Sequence, residues 1–506
     1  MADPDSPVQE TPRTPLRFLR RWLGGFRVGY LPVLITYFCY GASSVTAIAL
    51  LYFEKDVLGL TPAEAAAIAF WLGLPWSMKM VAGVASDVYP IRGSRRGAYL
   101  LLGALCAAAG YAALATTVRT RGAYLACSVL IAVGFMVQDV VADALSVEIA
   151  ESDEEIGQIQ TLGRMALLMG GISVGYLSGV LTAHIGSRGT FAAAIALPLI
   201  VAATVPFIRL RRARADAVPA PRAAEGPLGG GKARVVLLVG LGYAALGASL
   251  EILAVPYSRE IVLIVSAALI VLLLHRVGVS HGVVVAGIVI FLFRATPTVG
   301  QGYSYWAIDR LGFDQKFLGL LAQVSAVLSL AGLLLFRRTI VKRPVSFTLL
   351  WVMLTGAILY LPTIGLFYGL HERLGISART LAFVDTTISA PLAQLAMVPM
   401  LILMAKTAPV GAEATMFAIM ASLMNLALSA SQLFTEYLNE AFAVTQSDYS
   451  NLGRLMVTVG LVGLLPLLVL PLLRREESEA TPSPPAPAPG PAPESTGPVP
   501  ASYRHD

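Results

Sequence analysis

The sequence predicts an all-α polytopic membrane protein of fourteen helices: two six-helix bundles with an inserted two-helix hairpin. Three observations predict it. Of 506 residues, 56% are hydrophobic and only 13% charged, about half the charge of an ordinary soluble domain, which excludes a soluble enzyme. Fourteen apolar runs approach the roughly 20 residues that a spanning helix needs. An internal repeat then sorts these runs into two equal sets.

Residues 1–28 are polar, carry five arginines, and read as a cytoplasmic N-terminal tail. Apolar runs near 29–53, 62–86, 97–118, 122–149, 157–183 and 188–209 predict an N-terminal six-helix bundle over 29–209. The segment 210–233 is rich in Arg, Ala, Pro and Gly and reads as a cytoplasmic linker. Runs near 234–254 and 258–277 follow. Six more, near 281–308, 315–337, 344–370, 378–406, 411–441 and 450–474, make a C-terminal bundle over 278–475.

The repeat explains the extra pair. At a constant offset, Tyr52, Asp56, Leu58 and Gly59 match Tyr305, Asp309, Leu311 and Gly312. The end of the first helix thus corresponds to the end of the 281–308 helix, leaving 234–277 as the inserted hairpin. Residues 476–506 are dominated by Pro, Ala, Ser and Glu and cannot bury enough apolar area to fold, so a disordered C-terminal tail is expected.

The net charge is +6, but the basic residues fall in short clusters between apolar runs, a pattern of membrane topology rather than nucleic-acid binding. With both termini inside, cytoplasmic segments hold 23 Lys and Arg and the opposite loops 9. The positive-inside rule therefore favours fourteen helices with both termini cytoplasmic. Abundant Ala, Gly, Arg and Pro with scarce Lys suits a bacterial source, hence a bacterial inner membrane. Cys39, Cys106 and Cys127 lie in apolar segments without metal-ligand spacing, and no metal, cofactor or nucleic acid is expected. A monomer is expected.

Charges inside helices cost several kcal/mol unless paired or hydrated, which marks Lys79, Asp139, Asp143, Arg164 and Arg294 as candidates. Asp139 and Asp143 are four residues apart and share a helix face. At about 1.5 Å per residue, one layer holds all five. Three positive against two negative charges suit a substrate bearing carboxylates. Low-dielectric surroundings favour a neutral carboxyl, which makes Asp139 or Asp143 the expected proton-coupling site. In a purely structural reading, Lys79 and Arg164 neutralise the two aspartates and lock helices together. Arg454 reads as a snorkelling residue.

Tyr37, Tyr40, Trp71 and Trp76 lie within the first two helices, where an aromatic platform suits a flat heteroaromatic substrate; helix packing is the plainer alternative. Tyr37, Tyr40, Trp76, Gln138, Thr296 and Gln394 are the candidate cavity residues. The loop Gly83-Val-Ala-Ser-Asp87-Val-Tyr-Pro-Ile-Arg92-Gly-Ser-Arg95-Arg96 resembles the motif between the second and third helices of the major facilitator superfamily. There a glycine permits close helix approach, and an aspartate with basic residues forms a cytoplasmic gate. The expected gate set is Gly83, Asp87, Arg95, Arg96, Glu148 and Glu413.

Several segments together resemble the folate-biopterin transporter family of that superfamily. They are Leu74-Pro-Trp-Ser-Met-Lys79 running into Ser86-Asp87 and Arg95-Arg96, Gln138-Asp-Val-Val-Ala-Asp143-Ala-Leu-Ser-Val-Glu148, and Gln160-Thr-Leu-Gly-Arg164. Further on are Ala295-Thr-Pro297, Leu311-Gly-Phe313, Pro409-Val-Gly-Ala-Glu413-Ala-Thr415 and Asn425. The resemblance covers about residues 30 to 470. It implies a major facilitator fold and secondary active transport of a folate- or pterin-like anion, as proton symport by alternating access. It carries the family's charged positions to Lys79, Asp139, Asp143, Glu148, Arg164 and Glu413. Met80 departs from a common proline, and Tyr40 from a common glutamine. Transport of another organic anion, or export of amphipathic metabolites or drugs, keeps the same mechanism. A polytopic membrane enzyme is disfavoured: no loop before 475 is long enough for a catalytic domain, and the histidines are scattered.

Overall fold

The computed structural model describes residues 27–208, 230–277, 280–393, 395, 397–407 and 413–479. Most of the expected tails and linker, and Gln394, lie outside the described residues. The described chain is helical. In the N-terminal half, α1 (Leu31–Ala42) and α2 (Ala47–Tyr52) form one broken span, followed by α3 (Pro62–Ser77), α4 (Lys79–Val88), α5 (Gly97–Thr116), α6 (Arg121–Ile149), α7 (Asp153–Ala194) and α8 (Ala196–Ala202). Then come α9 (Gly230–Ile252) and α10 (Ser258–Val277). The C-terminal half holds α11 (His281–Arg294), α12 (Gly302–Leu311), α13 (Gln315–Lys342), α14 (Val345–Phe367), α15 (Leu370–Arg373), α16 (Ala378–Ala393), α17 (Met397–Thr407), α18 (Glu413–Ala441), α19 (Leu452–Val462) and α20 (Leu470–Glu479). Below, the end carrying the 89–96 loop is called inner and the opposite end outer.

Among the described residues, eleven helical stretches are long and apolar enough to cross a membrane. Local breaks account for two of the three spans by which this number falls short of fourteen. The stretch Glu154–Ile208 is 55 residues long and turns back at Gly186, whose backbone is non-helical. Arg188 donates to the Leu114 and Val118 carbonyls at the outer end of α5, whereas Val205 packs beside Gly97 at its inner start. The expected 281–308 helix is broken after Arg294, because Pro297 has no N–H to continue the ladder. The freed backbone groups find partners on α18: Ser431 donates to the Thr296 carbonyl at 2.6 Å, the Thr298 N–H reaches Thr435 at 2.9 Å, and Asn439 donates to the Val299 carbonyl at 3.2 Å. Non-helical backbone at membrane depth is tolerated only when re-satisfied by protein in this way.

The repeat is visible in the backbone. Gly59 and Gly312 both adopt φ 63°, the left-handed conformation in which a side chain is strained, and each follows the helix end that the sequence aligned. The C-terminal boundary at 475 needs correcting. Helix α20 continues to Glu479 because Glu477 accepts from the Val345 N–H at 2.7 Å and the Ser346 N–H at 3.3 Å. A carboxylate at the N-terminus of α14 also complements its dipole, so 476–479 is helical rather than disordered.

Polar links between the two halves lie at the outer end and mid-depth. Lys55 pairs with Asp309 at 2.7 Å, Gln301 donates to Glu54 at 3.3 Å, and Tyr52 donates to the Phe313 carbonyl at 3.2 Å. Deeper, Asn425 donates to the Trp76 carbonyl and Gln323 accepts from the Tyr176 N–H. Leu51 of the N-terminal half is buried, with Tyr52 beside it, in a cluster drawn mainly from the C-terminal half, among Trp306, Phe313 and Leu366. At the inner end the hydrophobic clusters are separate, one around Tyr30, Tyr99 and Leu145 and another around Val289, Leu349 and Met420.

Candidate functional site

Pro75 removes one N–H from the second span, and the helix breaks at Met78 (φ −111°, ψ 18°). Lys79 therefore begins α4, and its ammonium turns toward α6. It pairs with the Asp139 carboxylate and lies 3.8 Å from Asp143. The two aspartates share a face because four residues make about one turn, yet their surroundings differ. The Asp139 side chain is 8% exposed and that of Asp143 is 45% exposed.

Asp143 accepts a hydrogen bond from the Tyr37 hydroxyl of α1. The Tyr37 ring lies where a Cβ on Gly163 would overlap it, 2.7 Å from ring Cδ2, so only glycine allows this seat on α7. Gln160, one turn before Arg164, donates to Ser146 at 2.6 Å and approaches Asp143 at 3.5 Å. Arg164 is exposed and acts electrostatically on Tyr37, Tyr40 and Asp139. Trp76 covers the Lys79 ammonium at 5.6 Å from its ring centre, a cation–π contact. Tyr40 stacks on Trp76 at 5.1 Å with an interplanar angle of 24°.

Thus Lys79, Asp139, Asp143, Arg164, Tyr37, Tyr40 and Trp76 come together. Three expectations do not hold. Arg294 stands apart: its Nε is buried without a partner and it makes no ion pair among the described residues, so the layer holds two positive and two negative charges rather than three against two. Gln138 is 1% exposed and packs its Cγ against Gly103 of α5, away from the charged face. Thr296 bonds back to the Leu292 carbonyl and lines a separate space of 440 Å³ with Tyr303 and Tyr360.

At the inner end one guanidinium organises the expected gate. Arg96 pairs with Asp87 at 2.7 Å and Glu148 at 2.7 Å, and donates to Ser86 at 2.7 Å. Planar donors spread over three acceptors suit arginine better than lysine. Arg95, by contrast, is exposed and makes no ion pair among the described residues. Gly83 is no close-approach glycine: a Cβ there would meet only Val140 Cγ1 at 3.7 Å. Glu413 is the first residue of α18, and its side chain lies outside the described residues. A further link, Arg27 to Glu151 at 2.6 Å, ties the α6–α7 turn to the segment just before α1.

Sequence reasoning named Gln160 and Ser86 only within the resemblance and gave neither a role, and it did not foresee the Lys55–Asp309 pair. Gln160 carried a legible signal, since it precedes Arg164 by four residues and shares its face. Lys55 and Asp309 carried none beyond their place at matching ends of the repeat.

Residues 41–482 match the BT1 family. The chain is 30% identical over 450 residues to the folate-biopterin transporter of Synechocystis sp., covering 88% of this chain and 81% of that one. It is 21% identical over 462 residues to folate transporter 2 of Plasmodium falciparum, covering 90% of each. In fold it is similar to a POT family transporter solved with 5-aminolevulinic acid (TM-score 0.65, 15% identity, 89% of this chain and 97% of that chain). It is also similar to the nucleoside transporter NupG (TM-score 0.60, 11% identity, 88% and 99%). The matched span and the 30% identity together establish that the chain is a multi-pass membrane transporter belonging to the BT1 family of folate-biopterin transporters.

Proposed function

We propose that this protein is a proton-coupled symporter that carries a folate, a pterin or a related organic anion by alternating access. The observation that carries the reading is Lys79 held by Asp139 beside the more open Asp143, with Arg164 within electrostatic reach. Proton uptake by Asp139 would remove its charge and free the Lys79 ammonium, which with Arg164 could then hold a substrate carboxylate. Stacked Tyr40 and Trp76 beside Lys79 offer a flat face for a pterin ring. Relatives named for folate and biopterin support the substrate class.

Alternating access gains support from the placement of the interhalf links. They join the halves at the outer end and mid-depth, and the charged layer lies on the inner side of them. We propose the domain plan that suits this motion: six-helix bundles over 29–209 and 278–475, the last helix running on to Glu479, a tail at 1–28, a linker at 210–233 and the pair 234–277 as an insertion, fourteen spans in all. The Arg96 network with Asp87 and Glu148 serves as the inner gate, and Glu413 is counted in the same set. Both termini are cytoplasmic, the membrane is a bacterial inner membrane, and the unit is a monomer.

Purified protein in proteoliposomes, given labelled folate or biopterin with and without an imposed proton gradient, tests this. Gradient-driven accumulation of either is expected. Equal flux with and without the gradient would remove proton coupling, and no uptake of either would remove the substrate class.

A further inference from the structure

A second space, separate from the charged layer, runs between α3 and α4, α6 and α9. It measures 1120 Å³ and is walled by apolar residues, among them Leu74, Met78 and Val81 on one side and Leu237 and Leu241 on α9. Arg234 and Ile252 both line it, and between them α9 rises roughly 27 Å at 1.5 Å per residue. That nearly equals the bilayer's hydrocarbon thickness of about 30 Å. The space is a slot nearly as tall as the apolar layer, and it sits between helices long and apolar enough to cross a membrane.

Its charged lining residues lie at opposite ends and carry opposite signs. Arg234 stands at the inner end with Tyr89, and Glu251 at the outer end. Arg234 is exposed and makes no ion pair among the described residues. Helix α4 separates the slot from the charged layer: Met78, Val81, Ala82 and Ala85 border the slot, while Lys79 reaches across to Asp139.

We infer that the inner half of this slot binds an anionic phospholipid, with an acyl chain along α4 and α9 and the headgroup phosphate on Arg234. A guanidinium engages phosphate oxygens through paired N–H donors, and Tyr89 places an amphipathic ring at headgroup depth. Glu251 repels an anionic headgroup at the other end, so the slot selects the lipid of one leaflet. Acyl chains gain nothing by leaving lipid for an equally apolar wall, so selection comes from shape and charge rather than from the hydrophobic effect. Calling that leaflet cytoplasmic rests on the proposed orientation; the site itself does not. The bound chain braces α4 from behind the residue that holds Asp139.

Native mass spectrometry of the full chain in detergent, titrated with phosphatidylglycerol and phosphatidylcholine of identical acyl chains, tests the site. Phosphatidylglycerol should be retained at a concentration at least fivefold lower. Arg234→Gln, at an exposed position, should abolish that preference. Ala244→Trp, which fills the slot from α9, should reduce retention of both lipids. Equal retention by the unaltered chain, a preference that survives Arg234→Gln, or retention unchanged in Ala244→Trp would overturn the site. Displacement of the lipid by folate would overturn it as well, making the slot a substrate route. No step requires transport, so failure here is distinguishable from failure of the symport reading.

Discussion

Lys79 is held between two carboxylates whose exposures differ severalfold, and the proposed coupling role predicts a different mutational pattern from a mere lock. Removing one partner of a fully buried pair costs about 3–5 kcal/mol; Lys79 is 35% exposed and keeps Asp143 at 3.8 Å, so the cost here is smaller. Asp139→Asn should therefore lower the thermal unfolding midpoint and cut gradient-driven uptake at least tenfold. Joint replacement, Lys79→Met with Asp139→Leu, should recover the midpoint but not uptake. Recovery of both in a scanning-fluorimetry and uptake series would reduce the pair to a lock. Outside the membrane, burial pushes the Asp314 carboxyl up, but the Phe317 N–H at 2.8 Å and Arg379 at 2.9 Å outweigh it and hold it below its ordinary value. A carboxyl depressed in the folded state stabilises it above the unfolded pKa of about 3.9, and this contribution fades as pH falls through the folded value. Asp314→Ala should cost about 1 kcal/mol as a lost N-cap, with the difference from the unaltered chain shrinking below about pH 4. Unfolding midpoints against pH check the sign.

At the scale of elements, the seam between α7 and α13 is set by how closely two backbones approach. A Cβ on Gly179 would lie 2.1 Å from the Gln315 carbonyl oxygen and 3.1 Å from the Gly319 Cα. Backbone cannot give way as a side chain can, and overpacking costs about 1–3 kcal/mol. Gly179→Leu should therefore open the seam and lower uptake several-fold while the protein still folds. Labelling of a cysteine placed on the α13 face of this seam should become faster; unchanged labelling would show that the halves need not meet here. The breaks after Ser77 and Arg294 teach a related lesson. Each follows from proline chemistry written in the sequence, but what each break does depends on its neighbours, Lys79 facing α6 in one case and α18 side chains satisfying freed carbonyls in the other.

At the scale of the whole molecule, the outer end joins the two halves through the repeat itself. Lys55 follows the first copy's Tyr52, and Asp309 is the second copy's partner to Asp56. Tyr449 donates to Asp309 at 2.6 Å, which orients the carboxylate toward Lys55. If this bridge favours the outward-closed arrangement, Lys55→Glu and Asp309→Lys should each lower uptake several-fold by placing like charges together. The double exchange should recover most of it. Uptake unaffected by either single change would show that the bridge contributes nothing to the cycle.

Composition and run length were enough to determine a helical membrane chain, because the bilayer demands about 20 apolar residues with every backbone group satisfied. Spacing alone put Asp139 and Asp143 on one face and marked Lys79 and Arg164 as costly charges, since helical geometry and desolvation act locally. Which charges meet is not local. Arg294 looked like Lys79 in sequence, yet packing leaves it without an ion pair among the described residues, while Gln138 turns toward α5 and Arg96 rather than Arg95 pairs with Asp87 and Glu148. Those outcomes depend on crossing angles and helix rotation, which many weak side-chain contacts set together across hundreds of residues. The sequence by itself determined the solvent this chain lives in and the residues that chemistry singles out. Only the tertiary structure decided which of them face one another.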